Sequence, residues 1–275
     1  MKRAVTIQDI SCFGKCSLTV ALPIISAMGV ECAIIPTAVL STHTGGFKGY
    51  TFRDLSEDIP KISEHWKKEN LRFDGIYTGY LGSPEQAGMI CDFIDSFTPP
   101  FVFVDPAMAD NGKLYAGFTD DIVDAMAKLC AKADMIVPNL TEATLMLHKE
   151  YRAPGEYDMD YVRSILVKLT DMGAKAATLT GVICDGKHQG AVSYNSETGI
   201  YSEYFSDNLP WSCHGTGDIF SSAMFGAMML GKSEYESLKI AVEYTVDSMK
   251  HTVGDEEHWY GAKFEECIPS LIKML

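Results

Sequence analysis

The run His214-Gly215-Thr216-Gly217-Asp218 sets two glycines, a hydroxyl and a carboxylate ahead of an apolar segment that ends at Gly231. That segment is predicted to be a buried helix. Glycines at its start let backbone N–H groups converge on an anion without side chains in the way, and Gly217 is expected to supply the positive φ of the turn. Asp218 would repel a phosphate, so its chemistry there is that of a base, taking a proton from a hydroxyl that attacks a neighbouring phosphoryl group. A loop with an acidic first turn, favoured by the helix dipole, fits the same five residues, which alone do not separate the two readings.

The elements around this run favour the base. Val5-Thr6-Ile7 starts a strand, and Ser17 is expected to cap an apolar helix reaching Met28, bent at Pro23. A strand is predicted over 31–36, a helix over 54–70 and a short strand at Gly75-Ile76-Tyr77. Ser83-Pro84-Glu85 then opens a helix with a serine cap and proline at its first position. Phe101 to Val104 is an apolar strand ending at Asp105. Helix, strand and helix follow over 120–132, 135–137 and 141–148. Val162, Ile165, Leu166, Leu169 and Met172 recur at helical spacing, ahead of a buried strand over 176–180. Two alternating segments, 191–194 and 200–205, are expected to be antiparallel and near an edge.

Such alternation predicts an α/β fold, a mostly parallel sheet with helices on both faces. No linker or repeat interrupts it, so residues 1–275 are expected to form one domain. Ligands of such sheets bind beyond the carboxyl ends of the strands, and Asp9, Tyr80, Asp105, Asn139 and Thr180 all fall there.

The 275 residues carry a net charge of −14 and are 47% hydrophobic. A chain so acidic has no basic stripe for a nucleic acid or an anionic membrane, although a small anion remains open to backbone N–H groups and a metal ion. The N-terminus lacks an apolar leader, so a soluble, cytoplasmic protein is expected. The eight cysteines are expected to be reduced thiols packed in core or loops, and Cys12 and Cys16 have no second pair with which to bind zinc.

Together these segments resemble the vitamin B6 (pyridoxal) kinases of the ribokinase-like superfamily. The resemblance runs in order from Ile7-Gln8 through Ser41-Thr42-His43-Thr44, Gly79-Tyr80-Leu81-Gly82, Asp105-Pro106-Ala107-Met108 and Pro138-Asn139-Leu140-Thr141-Glu142 to Gly215-Thr216-Gly217-Asp218. It implies ATP-dependent phosphorylation of the 5′-hydroxymethyl group of a B6 vitamer by a homodimer. Asp218 would be the base, and the amides of Gly215, Thr216, Gly217 and Asp218 the anion hole. Asp105 and Glu142 would face Mg²⁺ and, with Asn139 and Thr180, the ATP phosphates. Asp9, His43, Thr44 and Tyr80 would line the pyridine pocket.

Each residue also has a plainer reading: Tyr80 a packed aromatic, His43 a surface histidine, Asn139 a helix cap, Glu142 a partner of the helix dipole. The related hydroxymethylpyrimidine kinases are the nearest alternative, and they carry cysteine where Asp218 stands. A non-catalytic binder on the same fold would have no need of the base. Asp9 and Lys15 depart from the B6-kinase pattern, and they are expected to form a charged pair over the bound ring.

Overall fold

A computed structural model describes residues 1–275. In chain order the elements are β1 (Arg3–Ser11), α1 (Leu18–Ala27), β2 (Glu31–Leu40), β3 (Phe52–Asp54), α2 (Ile59–Lys68), β4 (Gly75–Thr78) and α3 (Pro84–Phe97). Then come β5 (Val102–Val104), the hairpin β6 (Ala109–Asp110) and β7 (Lys113–Leu114), α4 (Asp120–Cys130), β8 (Met135–Ile136), α5 (Leu140–Met146) and α6 (Met159–Asp171). Strands β9 (Ala176–Val182), β10 (His188–Asn195) and β11 (Ile200–Asp207) precede helices α7 (Thr216–Met229), α8 (Glu234–Thr252) and α9 (Phe264–Met274).

Nine strands form one sheet in the order β11-β10-β9-β8-β5-β4-β1-β2-β3. The six central strands β9, β8, β5, β4, β1 and β2 run parallel, and β10, β11 and β3 are antiparallel at the edges. The parallel strands are apolar on both sides because helices cover both faces. Cores from α2 to α6 on one face include Ile90, Phe93, Leu129 and Leu166; α1, α7, α8 and α9 bury Ile24, Phe225, Leu238 and Leu271 on the other. No helix is long and apolar enough to cross a membrane.

Several elements exceed or escape the sequence pattern. Strand β2 runs on past Pro36 to Leu40, because the β1 register slips there: Gln8 faces Pro36 and Ile10 faces Val39. A proline is tolerated beside such an irregularity, where ladder pairing is already broken. Asp9 therefore lies inside β1 at the slip rather than beyond its end. The edge strand β3 and the β6–β7 hairpin carry too few residues to show a period. The hairpin had a different signal, Asn111-Gly112, with φ of 51° and 76° in a tight turn. Ser83 caps α3 as expected, accepting from the Gln86 N–H at 3.3 Å. Ser17 precedes α1 but makes no side-chain cap. All eight cysteines are free, yet only Cys130 and Cys267 are buried and Cys12 is exposed, so the expectation of core packing holds for two.

Phe225 carries α7 onto the sheet. It is fully buried, stacked on Phe101 at 6.0 Å and edge-on to Phe103 at 5.6 Å, with Tyr77 at 5.5 Å. Phe225→Ala removes that whole ring from a packed core and is expected to cost about 3–5 kcal/mol. Urea denaturation of both proteins checks it: a loss below about 1 kcal/mol would show that this helix does not depend on its aromatic seat.

Candidate active site

The start of α7 is fixed by one glycine. Gly215, the N-cap, has φ 79°, and a Cβ there would strike the backbone carbonyl of Lys15. Gly217 has no positive φ and faces open space, so the strained position of the turn is Gly215, not Gly217 as the sequence suggested. The reason is the close approach of the loop after β1, invisible in local sequence. Asp218 is the third residue of the helix and is partly open to solvent. Burial first, then the charge of Asp105, push its carboxyl up to about 8, while the backbone N–H of Ser17 holds it down. Ser17 achieves this with a left-handed backbone, φ 56° and ψ −133°. Such a conformation costs of order 1–3 kcal/mol in a non-glycine residue and persists only where its surroundings enforce it.

Beyond the ends of β5 and β8 stand the other acids. Asp105 is 7% exposed, and its Oδ2 accepts from the Ser221 hydroxyl at 2.7 Å; no protein group donates to its Oδ1. Glu142 is 3% exposed and spends both oxygens on backbone: Oε1 accepts from Met108 N (3.1 Å) and Ala109 N (3.4 Å), Oε2 from Asn139 N (2.9 Å). Burial and the Asp105 charge raise its carboxyl well above the usual carboxylate range. Asn139 caps α5 in a capping box with Glu142, and its amide donates to Ala109 O at 2.8 Å. Its Oδ1 and one amide N–H are thus engaged within the protein, as a cap requires, and the second amide N–H has no protein partner. Thr180 lies within β9 and approaches Pro138 O at 3.5 Å.

The opposite wall is aromatic. Tyr80 stacks on Phe118, 5.4 Å between centroids and 19° between planes. Its loop is clamped by buried Gln86, which accepts from Gly82 N at 2.8 Å and donates to Thr37 O at 3.0 Å. His43 is 4% exposed with both nitrogens used: Gly45 N–H donates to Nδ1 (3.1 Å), so Nε2 carries the proton and donates to Tyr260 O (2.8 Å). Burial lowers its pKa, and a neutral ring in that tautomer offers a ligand only its face. Thr44 is exposed at the rim.

Asp9 and Lys15 do not pair. The Lys15 ammonium bonds Glu265 and lies 5.3 Å from the Phe264 ring centroid, on α9 and outside the cavity. Asp9 is 3% exposed and accepts from the Ser11 hydroxyl at 2.9 Å; burial pushes its carboxyl up, against the serine hydroxyls that lower it.

Every other residue named from the sequence as a site candidate lines one cavity of about 930 Å³, with Asp9. That volume suits a nucleotide and a small substrate together. Its charged lining is Asp9, Asp105, Asp110, Glu142, Asp207 and Asp218, with no lysine or arginine. Ser17, Ser221 and Phe118 were missed: a serine at a helix start reads as a cap, and one inside an apolar helix reads as core.

The sequence pattern of the phosphomethylpyrimidine kinase family matches residues 21–261. A Bacteroides thetaiotaomicron protein provisionally named a phosphomethylpyrimidine kinase, crystallised with pyridoxal, is 36% identical with a TM-score of 0.93, over 98% of this chain and 95% of that one. Pyridoxal kinase from Lactobacillus plantarum is 29% identical with a TM-score of 0.92, over 100% and 98%. The thiamine biosynthetic bifunctional enzyme TH1 of Arabidopsis thaliana is 27% identical over 256 residues, 88% of this chain. The chain spans about half the length of that plant protein (47%). With its sheet order, cavity and acidic helix start in view, the chain belongs to the phosphomethylpyrimidine kinase family, kinases that share the ribokinase-like fold of pyridoxal kinase.

Proposed function

We propose that residues 1–275 form one kinase domain that transfers the γ-phosphoryl group of ATP to the 5′-hydroxymethyl group of a B6 vitamer. The observation that carries this reading is the acid at the start of α7: Asp218 beside the Gly215 turn, in a cavity wide enough for both substrates. The likeness to a protein crystallised with pyridoxal supports the substrate class. Tyr80, stacked on Phe118, offers a flat wall for a pyridine ring.

Asp218 takes the proton of the hydroxyl as its oxygen attacks the γ-phosphorus, and the bond to the β-phosphate oxygen breaks to release ADP. The N–H groups at the start of α7 point at the charge that develops on the transferring group. Gly217 leaves that approach open, since a Cβ there meets nothing within 4 Å.

Six carboxylates without a lysine or arginine cannot neutralise a triphosphate, so the donor set fits a hard divalent cation. Asp105 through its free Oδ1, and Glu142 through water, would hold Mg²⁺, which when bound supplies the positive charge that the side chains lack. The family's name points to a pyrimidine, and relatives named hydroxymethylpyrimidine/phosphomethylpyrimidine kinase make hydroxymethylpyrimidine the second candidate substrate; assays of each vitamer and the pyrimidine with ATP distinguish the two.

Asp218→Asn keeps the shape of the site and removes the base. Turnover is expected to fall about 10²–10⁴-fold while ATP affinity, measured by calorimetry at neutral pH, changes little, because the mostly protonated acid that the amide replaces carries little charge there. Turnover within threefold of the parent removes Asp218 from the mechanism.

A base with its carboxyl raised to about 8 is mostly protonated at neutral pH. Activity of the free enzyme, read as kcat/KM, is therefore expected to climb as pH rises through about 8. A flat profile between pH 6 and 9 contradicts this assignment, as does a rising limb that survives in Asp218→Asn.

Gly215→Ala must displace the loop around Lys15 or abandon φ 79°, whereas Gly217→Ala adds a methyl to open space on an ordinary helical backbone. The first is expected to cost stability and at least tenfold in turnover. The second is expected to melt within about 2 °C of the parent and to raise KM for ATP by crowding the phosphate approach. Equal melting temperatures for the two variants would mean that the Lys15 contact does not form.

A further inference from the structure

Helices α8 and α9 bring three metal-ligating side chains together outside the cavity. Asp247 and His251 stand one helical turn apart on α8, hence on one face of it. Cys267 lies on the buried face of α9, which it shares with Phe264 and Leu271. Its Sγ is 3.3 Å from His251 Nδ1, which is 3.6 Å from Asp247 Oδ1, and all three ligand atoms fall within 4.8 Å of one another. None of the three residues lines the cavity. Two bonds between the helices bracket the cluster and hold its geometry. The Tyr244 hydroxyl donates to Phe264 O at 2.9 Å, and the Lys263 N–H donates to Thr252 Oγ1 at 2.8 Å.

The spacing suits a tetrahedral ion. Zinc bonds of about 2.3 Å to sulfur and about 2.0–2.2 Å to nitrogen or oxygen set neighbouring ligand atoms about 3.3–3.6 Å apart. Thiolate and imidazole select zinc over the hard magnesium ion, which prefers oxygen ligands. A thiolate and a carboxylate together cancel the double charge of the ion, so the complex is neutral where it meets the core. Burial first, then the charge of Asp247, push the Cys267 thiol up to about 12 in the metal-free protein. Binding therefore sends the thiol proton to solvent and joins the sulfur to the ion as thiolate. The exposed His251 ring keeps its own proton on Nε2 and gives the lone pair of Nδ1. Without the ion, a proton on Nδ1 would instead go to the Asp247 carbonyl, 2.9 Å away.

We propose that Asp247, His251 and Cys267 form a zinc site that clips α9 to α8, with water in the fourth position at its exposed edge. The site is separate from the divalent cation that accompanies ATP, and it stands whichever alcohol the kinase phosphorylates. Its role is structural, since it touches no reacting atom. The clip secures the helix that follows a turn on the cavity side, where the Tyr260 carbonyl accepts from His43 and the Ala262 N–H donates to His214 O at 3.3 Å.

The test titrates chelator-treated protein with Co²⁺, a coloured stand-in for zinc, and then with Zn²⁺. Bound Co²⁺ is expected to show a thiolate-to-metal charge-transfer band at one ion per chain, which Zn²⁺ bleaches and excess Mg²⁺ does not. His251→Gln and Cys267→Ser are expected to lose the band while keeping turnover, since neither residue lines the cavity. Their Zn²⁺ affinity is expected to fall at least about 100-fold, the upper end of what loss of a mere outer-shell partner costs. Cys16→Ser and Cys213→Ser, which alter the two thiols of the cavity, are expected to retain the band. A wild type without the band overturns the proposal, as does a band that survives in His251→Gln or disappears with either cavity thiol. Should Cys267→Ser misfold, His251→Gln alters only an exposed side chain, and thermal melting decides. Zn²⁺ is expected to raise the Tm of the wild type by at least about 3 °C more than that of His251→Gln. Equal shifts refute the site.

Discussion

One close approach sets the geometry of the cavity floor. The backbone carbonyl of Lys15 sits where a Cβ of Gly215 would be, so the loop after β1 and the start of α7 touch without an intervening side chain. Only a residue with no Cβ and free access to positive φ permits this. Ser17 is thereby drawn into a left-handed conformation, and its hydroxyl is unavailable as a cap for α1. The same residue lowers the pKa of both neighbouring acids, its hydroxyl acting on Asp9 and its backbone N–H on Asp218.

The acids farther along the sheet are held by a different device. Glu142 is buried, yet three backbone N–H groups bond its two oxygens, which is what makes a buried carboxylate tolerable. Asp105 has one hydroxyl and an unpartnered oxygen, so it retains capacity for a ligand that Glu142 has largely spent. Two carboxylates near each other in a chain of net charge −14 generate a potential that repels anions. Attraction for a nucleotide must come from the helix start of α7 and from cations that arrive with it. The absence of lysine and arginine from the lining makes those contributions necessary rather than auxiliary.

Periodicity carried most of the fold into view. The long helices and the central strands announce themselves by apolar spacing, and the alternating pair near the end became the antiparallel edge, β10 and β11. Short elements escaped because two or three residues have no period, although Asn111-Gly112 was a turn signal in plain sight. In the site, the candidates converged on one cavity because strand ends of a parallel sheet point to one rim. Side-chain direction was not legible. Lys15 and Asp9 are six residues apart and of opposite charge, which suggested a pair. The partner that Lys15 found, Glu265, lies 250 residues onward on α9. Likewise the sequence did not show that Gly45 and Tyr260 occupy both nitrogens of His43, which leaves only its ring face to the cavity.

The two halves of the cavity share a wall, and Glu142 is its anchor. By accepting from Met108 and Ala109 it fixes the strand that opens the β6–β7 hairpin, and Thr141 holds the far side through Gly112 N at 3.0 Å. The chain leaves the hairpin at Tyr115, whose N–H bonds Met108 O at 2.9 Å, and Phe118 follows to stack on Tyr80. A continuous set of short contacts therefore runs from the Glu142 carboxylate to the aromatic wall at Tyr80. A charge brought to Glu142 acts on oxygens that already bear the hairpin. The position of Phe118, and with it the face presented by Tyr80, depends on that hairpin. Because the connection is made of backbone hydrogen bonds to one side chain, the hairpin and the aromatic stack beyond it share a single anchor, Glu142.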